Sequence, residues 1–548
     1  ANPWSVAPGD VVKFHTSSEL LSHASARIVR VRYADPDVRG PGMKLVHVPS
    51  PLDAGIDLAF HPTWNGSWGE ILDRGLLDGV ERFSAGLWIY PTLLNGREQV
   101  ILARRNAAAA SGWRLFLDEQ GHLCADITSE GRDVRVRSVR PVLVREWLFV
   151  SMSWSLASRI LSLSAEGLAI DGGREQRVDV FATADFTPTW PAGVPLTFAA
   201  EWTGRPAPEQ TTRAHFNGKI DRPRLSRRAL GAGEMRALVD NVAPLTTDPD
   251  LIAAWDFSRD ISGDTLVDLS ANGLHGKVHR LPMRAATGAN WSGTRLGWCE
   301  IPHEYGAIHF HEDDIDDASW PSSAAWTVPA GTRSGFYTLE LTAEHDGVLT
   351  ESHVSFFVRP PRHSATADVV VIAPTATYLA YANNHSRIDQ IHFEVMADGL
   401  MVFSPDDLFA HAHREFGPSL YDTHNDLSGV CYSSSKRPIL NARPSFYTFN
   451  YVNDTHLLDW VEEQGINYDV ITDDDLHREG ADLLSRYRVV MTMTHPEYTS
   501  KEMLDALAAY QNSGGRHMYM GGNGFYWRIA FHPTRQGVVE LRRGITGL

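Results

Sequence analysis

His495, Glu497 and Asn523 stand just past two runs that read as buried strands, and chemistry is expected there first. The segment 486–527 opens with an apolar, β-branched run, Val489 to Met493, of the length of a buried strand. Thr499 and Glu502 then form a T-x-x-E capping pattern, and Met503, Leu504, Leu507 and Tyr510 follow at helical spacing. Gly514 and Gly515 end that helix, and His517 to Met520 reads as a second strand. The pattern is a β-α-β unit, so the strands should be parallel. Ligands of open α/β sheets bind outside the carboxyl ends of the strands, where this histidine, carboxylate and amide converge. Each also has a plainer role. Glu497 could favour the start of the following helix, His495 could be a structural histidine, and Asn523 suits a turn after Gly521-Gly522.

Three phenols could reach the same edge: Tyr378 and Tyr381 in TATYLAYANN, after the strand-like DVVVI, and Tyr421 in GPSLYDTHND. A phenolate is a hard anionic oxygen donor that suits Fe(III) better than Zn(II) or Cu(I). Two phenolates with the Glu497 carboxylate would put three negative charges around a trivalent cation. The cation would let the tyrosines ionise far below their ordinary pKa of about 10. An open coordination position would make such an ion a Lewis acid for hydrolysis, with His495 as proton carrier and Asn523 as hydrogen-bond donor. Spacing does not say which tyrosines take part, and buried tyrosines commonly pack and hydrogen-bond their hydroxyls.

The elements that must position these groups divide the chain. Residues 1–55 carry short strand-like runs such as Val11 to Phe14 and Ala26 to Val31, a small β segment expected to pack on something larger. Residues 56–245 read as all-β, with strands at Phe83 to Tyr90, Trp113 to Leu117 and Trp147 to Trp154 between turn residues. Residues 246–362 continue as β structure, with runs at Phe336 to Thr342 and Val354 to Val358, up to the Pro-rich, charged linker Arg359-Pro360-Pro361-Arg362. From 363 to 548 strands and helices alternate: Asp368 to Ile372, a helix bearing Leu457, Leu458 and Val461 with Gly465 at its end, Tyr468 to Thr472, then the β-α-β unit. That succession predicts a doubly wound sheet. The final run, Arg543 to Leu548, has no clear closing element, and the native polypeptide is expected to continue past it.

Length and composition limit the function classes. A chain of 548 residues should hold several domains, and 43% apolar with 21% charged residues is ordinary for a soluble protein. The net charge of −17 argues against a nucleic-acid partner, since no phosphate-neutralising surface is implied. Cys124, Cys299 and Cys431 are odd in number and far apart, so no disulfide framework follows and a reducing cytosol fits best. ANPWSVAPGD lacks the n- and h-regions of a signal peptide, and no run of about 18 apolar residues predicts a membrane span.

The segment FNGKIDRPRLSRRAL, Phe216 to Leu230, with GLWIYPT and the following LFLD…GHL hairpin, resembles concanavalin/laminin-G-like sandwiches. TYLAYANN, SLYDTHND, THPEYTS and YMGGNGFYW, with that half before them, resemble the large (beta) subunit of bacterial N,N-dimethylformamidase over nearly the whole chain. The resemblance implies β-sandwich parts followed by a glutamine-amidotransferase-like α/β domain. It implies a mononuclear Fe(III) held by Tyr381, Tyr421 and Glu497, with His495 and Asn523 as catalytic or supporting groups. Tyr378 is only three residues from Tyr381 and remains open as the ligand. The expected reaction is hydrolysis of N,N-dimethylformamide, and of close small amides, to dimethylamine and formate, in the bacterial cytoplasm. A small helical subunit would accompany each large one in an oligomer of heterodimers.

Other sites compete. GAIHFHEDDIDD, residues 306–317, sets His309 and His311 on one face if extended, beside five acidic residues, as a divalent-metal site or a solvated acidic loop. His411 and His413 are flanked by Phe409, Ala410 and Ala412, which suggests packing. Cys431 would be the nucleophile of a cysteine-dependent amidotransferase-like hydrolase, although SGVCYSSS lacks the strand–turn–helix elbow that exposes one. A carbohydrate- or protein-binding role for the sandwich would use Trp64, Trp68 or Trp202, which core packing explains as well.

Overall fold

Strand-forming runs between residues 68 and 310 pair into one antiparallel sheet of many short strands. The structure, a computed structural model, describes residues 1–72, 74–168, 176–241, 247–385, 404–446 and 450–543. The chain forms two compact units, one of Ala1–Thr63, Asp316–Thr423 and Gly429–Arg542, the other centred on Trp64–Ile315 with His424–Ser428. The terminal run 544–548 lies outside the described residues.

In the second unit the central strand Gly218–Ser226 pairs on one side with Arg82–Pro91 and on the other with Leu251–Asp256. Alternate residues point inward, and the sheet curls so that Leu115, Ala125 and Ile127 share one core with Val150, Met152, Leu161 and Leu163. Each fully buried leucine, isoleucine, valine or methionine of this core contributes roughly 1.5–3 kcal/mol. This is the sandwich expected from the alternation. Leu251–Asp256, Thr265–Asp268, Gly276–His279 and Ala307–Phe310 extend the same sheet.

In the first unit the strands Gly335–His345 and Val348–Val358 form a hairpin that pairs with His23–Tyr33, so that Tyr337 lies opposite Arg30. The stretch 246–362, expected as one β region, thus supplies strands to two different sheets. The linker at 359–362 is no loose hinge. The Arg359 guanidinium is buried and pairs at 2.6 Å with both Asp475 and Glu479, inside the same unit.

The alternating region after it forms a four-stranded, all-parallel sheet in the order Tyr468–Thr472, Val369–Ala373, Val489–Thr492, Arg516–Tyr519. One face packs Val371, Val470 and Met491 against Tyr451, Leu458 and Val461 of the helix Tyr451–Glu463. The other packs Val370, Ile471 and Val490 against Leu476, Leu484, Met503 and Leu507. Helices therefore cover both faces of a central sheet, as the succession of elements predicts. The helix Lys501–Asn512 is capped one residue later than expected: the Ser500 hydroxyl accepts from the Met503 N–H. Thr499 is instead the end of a short strand, Tyr498–Thr499, parallel to Trp527–Arg528. Among the described residues no helix is long and apolar enough to cross a membrane.

Candidate active site

Three segments of the first unit deliver Tyr381, Tyr421, His495 and Glu497 to one place. Val369–Ala373 leads through Pro374 into the short helix Thr375–Ala380, which Tyr381 caps at its carboxyl end. Asn441 Nδ2 donates to the Tyr381 carbonyl at 2.7 Å, which fixes the end of that helix. Tyr421 comes from a tight turn in which Ser419 Oγ accepts the Tyr421 N–H, and the Leu420 N–H donates to the Ala380 carbonyl at 2.9 Å. Glu497 follows the strand Val489–Thr492, and its N–H bonds back to the His495 carbonyl. Thr377 Oγ1 donates to that same carbonyl at 3.0 Å and ties the two segments together.

The Glu497 carboxylate is the focus. Tyr381 donates to one of its oxygens and Tyr421 to the other, each at 2.9 Å, and His495 Nε2 lies 3.1 Å from the oxygen that Tyr381 uses. The two phenol rings stack at 4.2 Å and 14°. Tyr498, which the sequence reading did not single out, stands edge-on to both rings and donates to the Tyr421 hydroxyl at 2.6 Å. Its only signal was its place beside Glu497. Glu497 and Tyr381 are buried, whereas 38% of Tyr421 is exposed, so the group opens on its Tyr421 side. Burial alone would raise the carboxyl of Glu497, but hydrogen bonds from His495, Tyr381 and Tyr421 outweigh it and hold the group below its ordinary value. The Tyr381 phenol is driven far up by burial, then by its hydrogen bond with Tyr421 and the charge of Glu497. Tyr421 is also raised, again by burial first.

Tyr378 faces elsewhere. Its hydroxyl donates to Asp454 in the core, and its ring packs with Phe357 and Tyr451. Asp454 in turn accepts from the Thr494 N–H at 2.9 Å and the Thr494 hydroxyl at 2.6 Å, which anchors the segment leading to His495. Asn523 is exposed, with φ 49°, and no hydrogen bond among the described residues joins it to the other four. Its loop is nevertheless held against the site: the Gly522, Phe525 and Trp527 N–H groups donate to the carbonyls of Thr494, Pro496 and Glu497. A cavity of about 640 Å³ elsewhere in this unit, bordered by Trp4, His15, Trp320 and His353, contains none of these side chains.

The rival positions are accounted for separately. His413 pairs with Glu415 at 2.6 Å and packs on Phe409. Cys431 is partly exposed, and its sulfur lies 3.8 Å from the Gly429 carbonyl. Trp68 is buried and stacks on His279, and the Trp64 indole donates to the Pro208 carbonyl. His309 and His311 are buried, not part of a solvated loop.

Two phenols and a carboxylate gathered past the carboxyl end of a parallel strand place this group in the class of oxygen-rich α/β sheet-edge sites, whose donors are of the type that hard cations take. Comparison with known proteins narrows the class. Residues 65–236 match the family described as "Concanavalin A-like lectin/glucanases superfamily", and residues 283–548 match "N,N-dimethylformamidase beta subunit-like, C-terminal". The N,N-dimethylformamidase beta subunit of Paracoccus aminophilus is 34% identical over 99% of this chain and 73% of its own length. That of an Alcaligenes species is 35% identical over the same shares. The chain belongs to the N,N-dimethylformamidase beta-subunit family. Among solved structures, the CBM40 module of the Ruminococcus gnavus IT-sialidase aligns over 33% of this chain and 97% of its own, at 14% identity and a TM-score of 0.26.

Proposed function

We propose that this chain hydrolyses the amide C–N bond of N,N-dimethylformamide, and of close small amides, to dimethylamine and formate. The observation that carries the reading is the convergence of Tyr381, Tyr421 and His495 on the Glu497 carboxylate. The family to which the chain belongs supports the substrate.

Two phenols and one carboxylate are the donor set that suits Fe(III), and their proximity fits one ion held by Tyr381, Tyr421 and Glu497. Iron bound there would act as a Lewis acid toward the formyl carbonyl oxygen. The protein residues do the rest. Tyr498 and Thr377 hold the Tyr421 and His495 segments in place. Dimethylamine is too basic to leave as an anion, so its nitrogen must gain a proton as the C–N bond breaks. His495, partly exposed and 3.1 Å from Glu497, is placed to deliver it. Asn523, on the loop tied to 494–497, would donate a hydrogen bond to the carbonyl oxygen once substrate draws its side chain in. The glutamine-amidotransferase-like character of the α/β domain belongs to the same proposal, as do a small helical partner subunit, a higher oligomer of such pairs and a cytoplasmic location. The name beta subunit, borne by both relatives, supports a partner chain.

The test is iron content, visible absorption and release of dimethylamine from N,N-dimethylformamide, measured on the native protein and on Glu497→Ala. The native protein should hold about one iron per chain with a tyrosinate-to-Fe(III) band, and the variant should lose metal, colour and activity. A variant with full iron and turnover would refute the ligand set.

A further inference from the structure

A second polar cluster lies wholly within the sandwich-containing unit, where the described structure places no part of the proposed reaction. The turn after the strand Ala307–Phe310 carries His311, Asp313 and Asp314, and the closed loop 424–428 brings His424, Asp426 and Ser428 to it. His311, Asp314 and His424 are all more than nine-tenths buried. One nitrogen of each histidine and a carboxylate oxygen of Asp314 lie within 4.8 Å of one another. His311 Nδ1 is 3.3 Å from one Asp314 oxygen, and His424 Nε2 is 3.8 Å from the other.

We propose that His311, Asp314 and His424 form a binding site for one divalent transition-metal ion, with Zn(II) the best chemical fit. Two imidazoles and a carboxylate are common zinc ligands, and three protein ligands leave a fourth position for water. The outward atoms of all three are already held, as metal ligands require. His424 Nδ1 meets Asp313 at 2.9 Å, His311 Nε2 meets the Ser428 hydroxyl at 2.9 Å, and the Ser67 hydroxyl donates to Asp314 at 2.6 Å. The neighbouring trio His309, His311 and Asp426 is less prepared, because His309 Nδ1 is buried with no hydrogen-bond partner among the described residues. Charge favours a cation as well. Asp313, Asp314 and Asp426 gather three carboxylates around these histidines, with Lys219 on the strand that pairs with His309. Buried charges of one sign persist only when paired or bound to metal. The His311 and His424 rings stack at 3.8 Å and 5°, so shared coordination requires one ring to turn about its Cβ–Cγ bond. Such an ion would clamp the loop 424–428 to the turn 311–314.

The experiment uses the full chain as purified, with any bound iron and co-purifying subunit retained, dialysed against Zn(II) or Co(II) and then against metal-free buffer. One tightly held Zn(II) or Co(II) per chain in addition to iron is expected, with the d–d absorption of tetrahedral Co(II). Asp313→Asn should weaken it about 10–100-fold, as loss of an outer hydrogen-bond partner does. His424→Gln should abolish it with iron content unchanged, and His309→Gln should retain it. Native protein that takes up no metal beyond iron overturns the proposal. So does retention of the added metal in His424→Gln, with or without its loss in His309→Gln. If His424→Gln fails to fold, the native Co(II) spectrum and the Asp313→Asn affinity decide the question.

Discussion

Replacing Tyr378 and Tyr381 by Phe, one at a time, should cost similar stability and have opposite effects on iron. The two phenols sit three residues apart on one short helix, yet Tyr378 donates to Asp454 and Tyr381 to Glu497. Each substitution removes one hydrogen bond to a buried carboxylate that keeps two other donors: the Thr494 N–H and hydroxyl on Asp454, and Tyr421 with His495 on Glu497. Loss of a hydrogen bond to a charged group costs about 1.5–3 kcal/mol, or roughly 10- to 150-fold in the equilibrium for local opening. Amide exchange across Thr375–Ala380 should therefore accelerate by that factor in both variants. Metal separates them. Tyr378→Phe should keep its iron, its visible band and most of its turnover. Tyr381→Phe removes a proposed ligand, so its iron affinity should fall by more than the roughly 10–100-fold typical of an outer partner. Its band should weaken and shift, and dimethylamine release should approach background. A Tyr378→Phe protein without iron, beside a Tyr381→Phe protein with full iron and colour, would refute the assignment.

Two further outcomes concern the scaffold of the site. Burial first, and then the charges of Asp454, Asp474 and Asp475, push the Asp473 carboxyl up to about 8, while burial pushes Asp454 up to about 6. The folded state thus holds protons that the unfolded chain releases near 3.8. The stability these groups lend is full below that pH and is lost as pH rises through about 6 and then about 8, with a slope of up to about 1.4 kcal/mol per pH unit for each proton. Asp473→Asn keeps an acceptor for the Ala376 N–H and should flatten denaturation midpoints between pH 6 and 8; an unchanged slope would count against it. Gly521→Ala would set a Cβ 2.2 Å from the Thr494 carbonyl oxygen, so the Asn523 loop must shift. Turnover should drop while iron content holds, and full activity would remove that loop from the mechanism.

Much of this architecture is written in short-range patterns, and the remainder depends on pairings that no local pattern carries. The runs 83–90, 113–117, 147–154 and 489–493 have the period or apolar continuity of strands, and each forms one to within a few residues. His495 and Glu497 were legible because a strand end in a parallel sheet is a position with chemical meaning. The choice between Tyr378 and Tyr381 was not. Three helical residues turn the chain through about 300°, so the two side chains leave only about 60° apart, and their partners, Asp454 and Glu497, decide which faces the site. Tyr421 belongs to an irregular turn placed by partners distant in sequence, among them the Ala380 carbonyl for the Leu420 N–H and Glu497 for the Tyr421 hydroxyl. The division of residues 246–362 between two sheets was hidden for the same reason. Alternation says that Phe336 to Thr342 is a strand, but not that its neighbour is His23–Tyr33, about three hundred residues earlier. Likewise the His309–His311 pair and the adjacent Asp313 and Asp314 were visible as a spacing, while His424 and Asp426, which complete the cluster, arrive from the loop 424–428, more than a hundred residues downstream. A residue's type and its local element say what chemistry it can do. Which partner it does that chemistry with is set by contacts distant in sequence, and in this chain those contacts make both clusters.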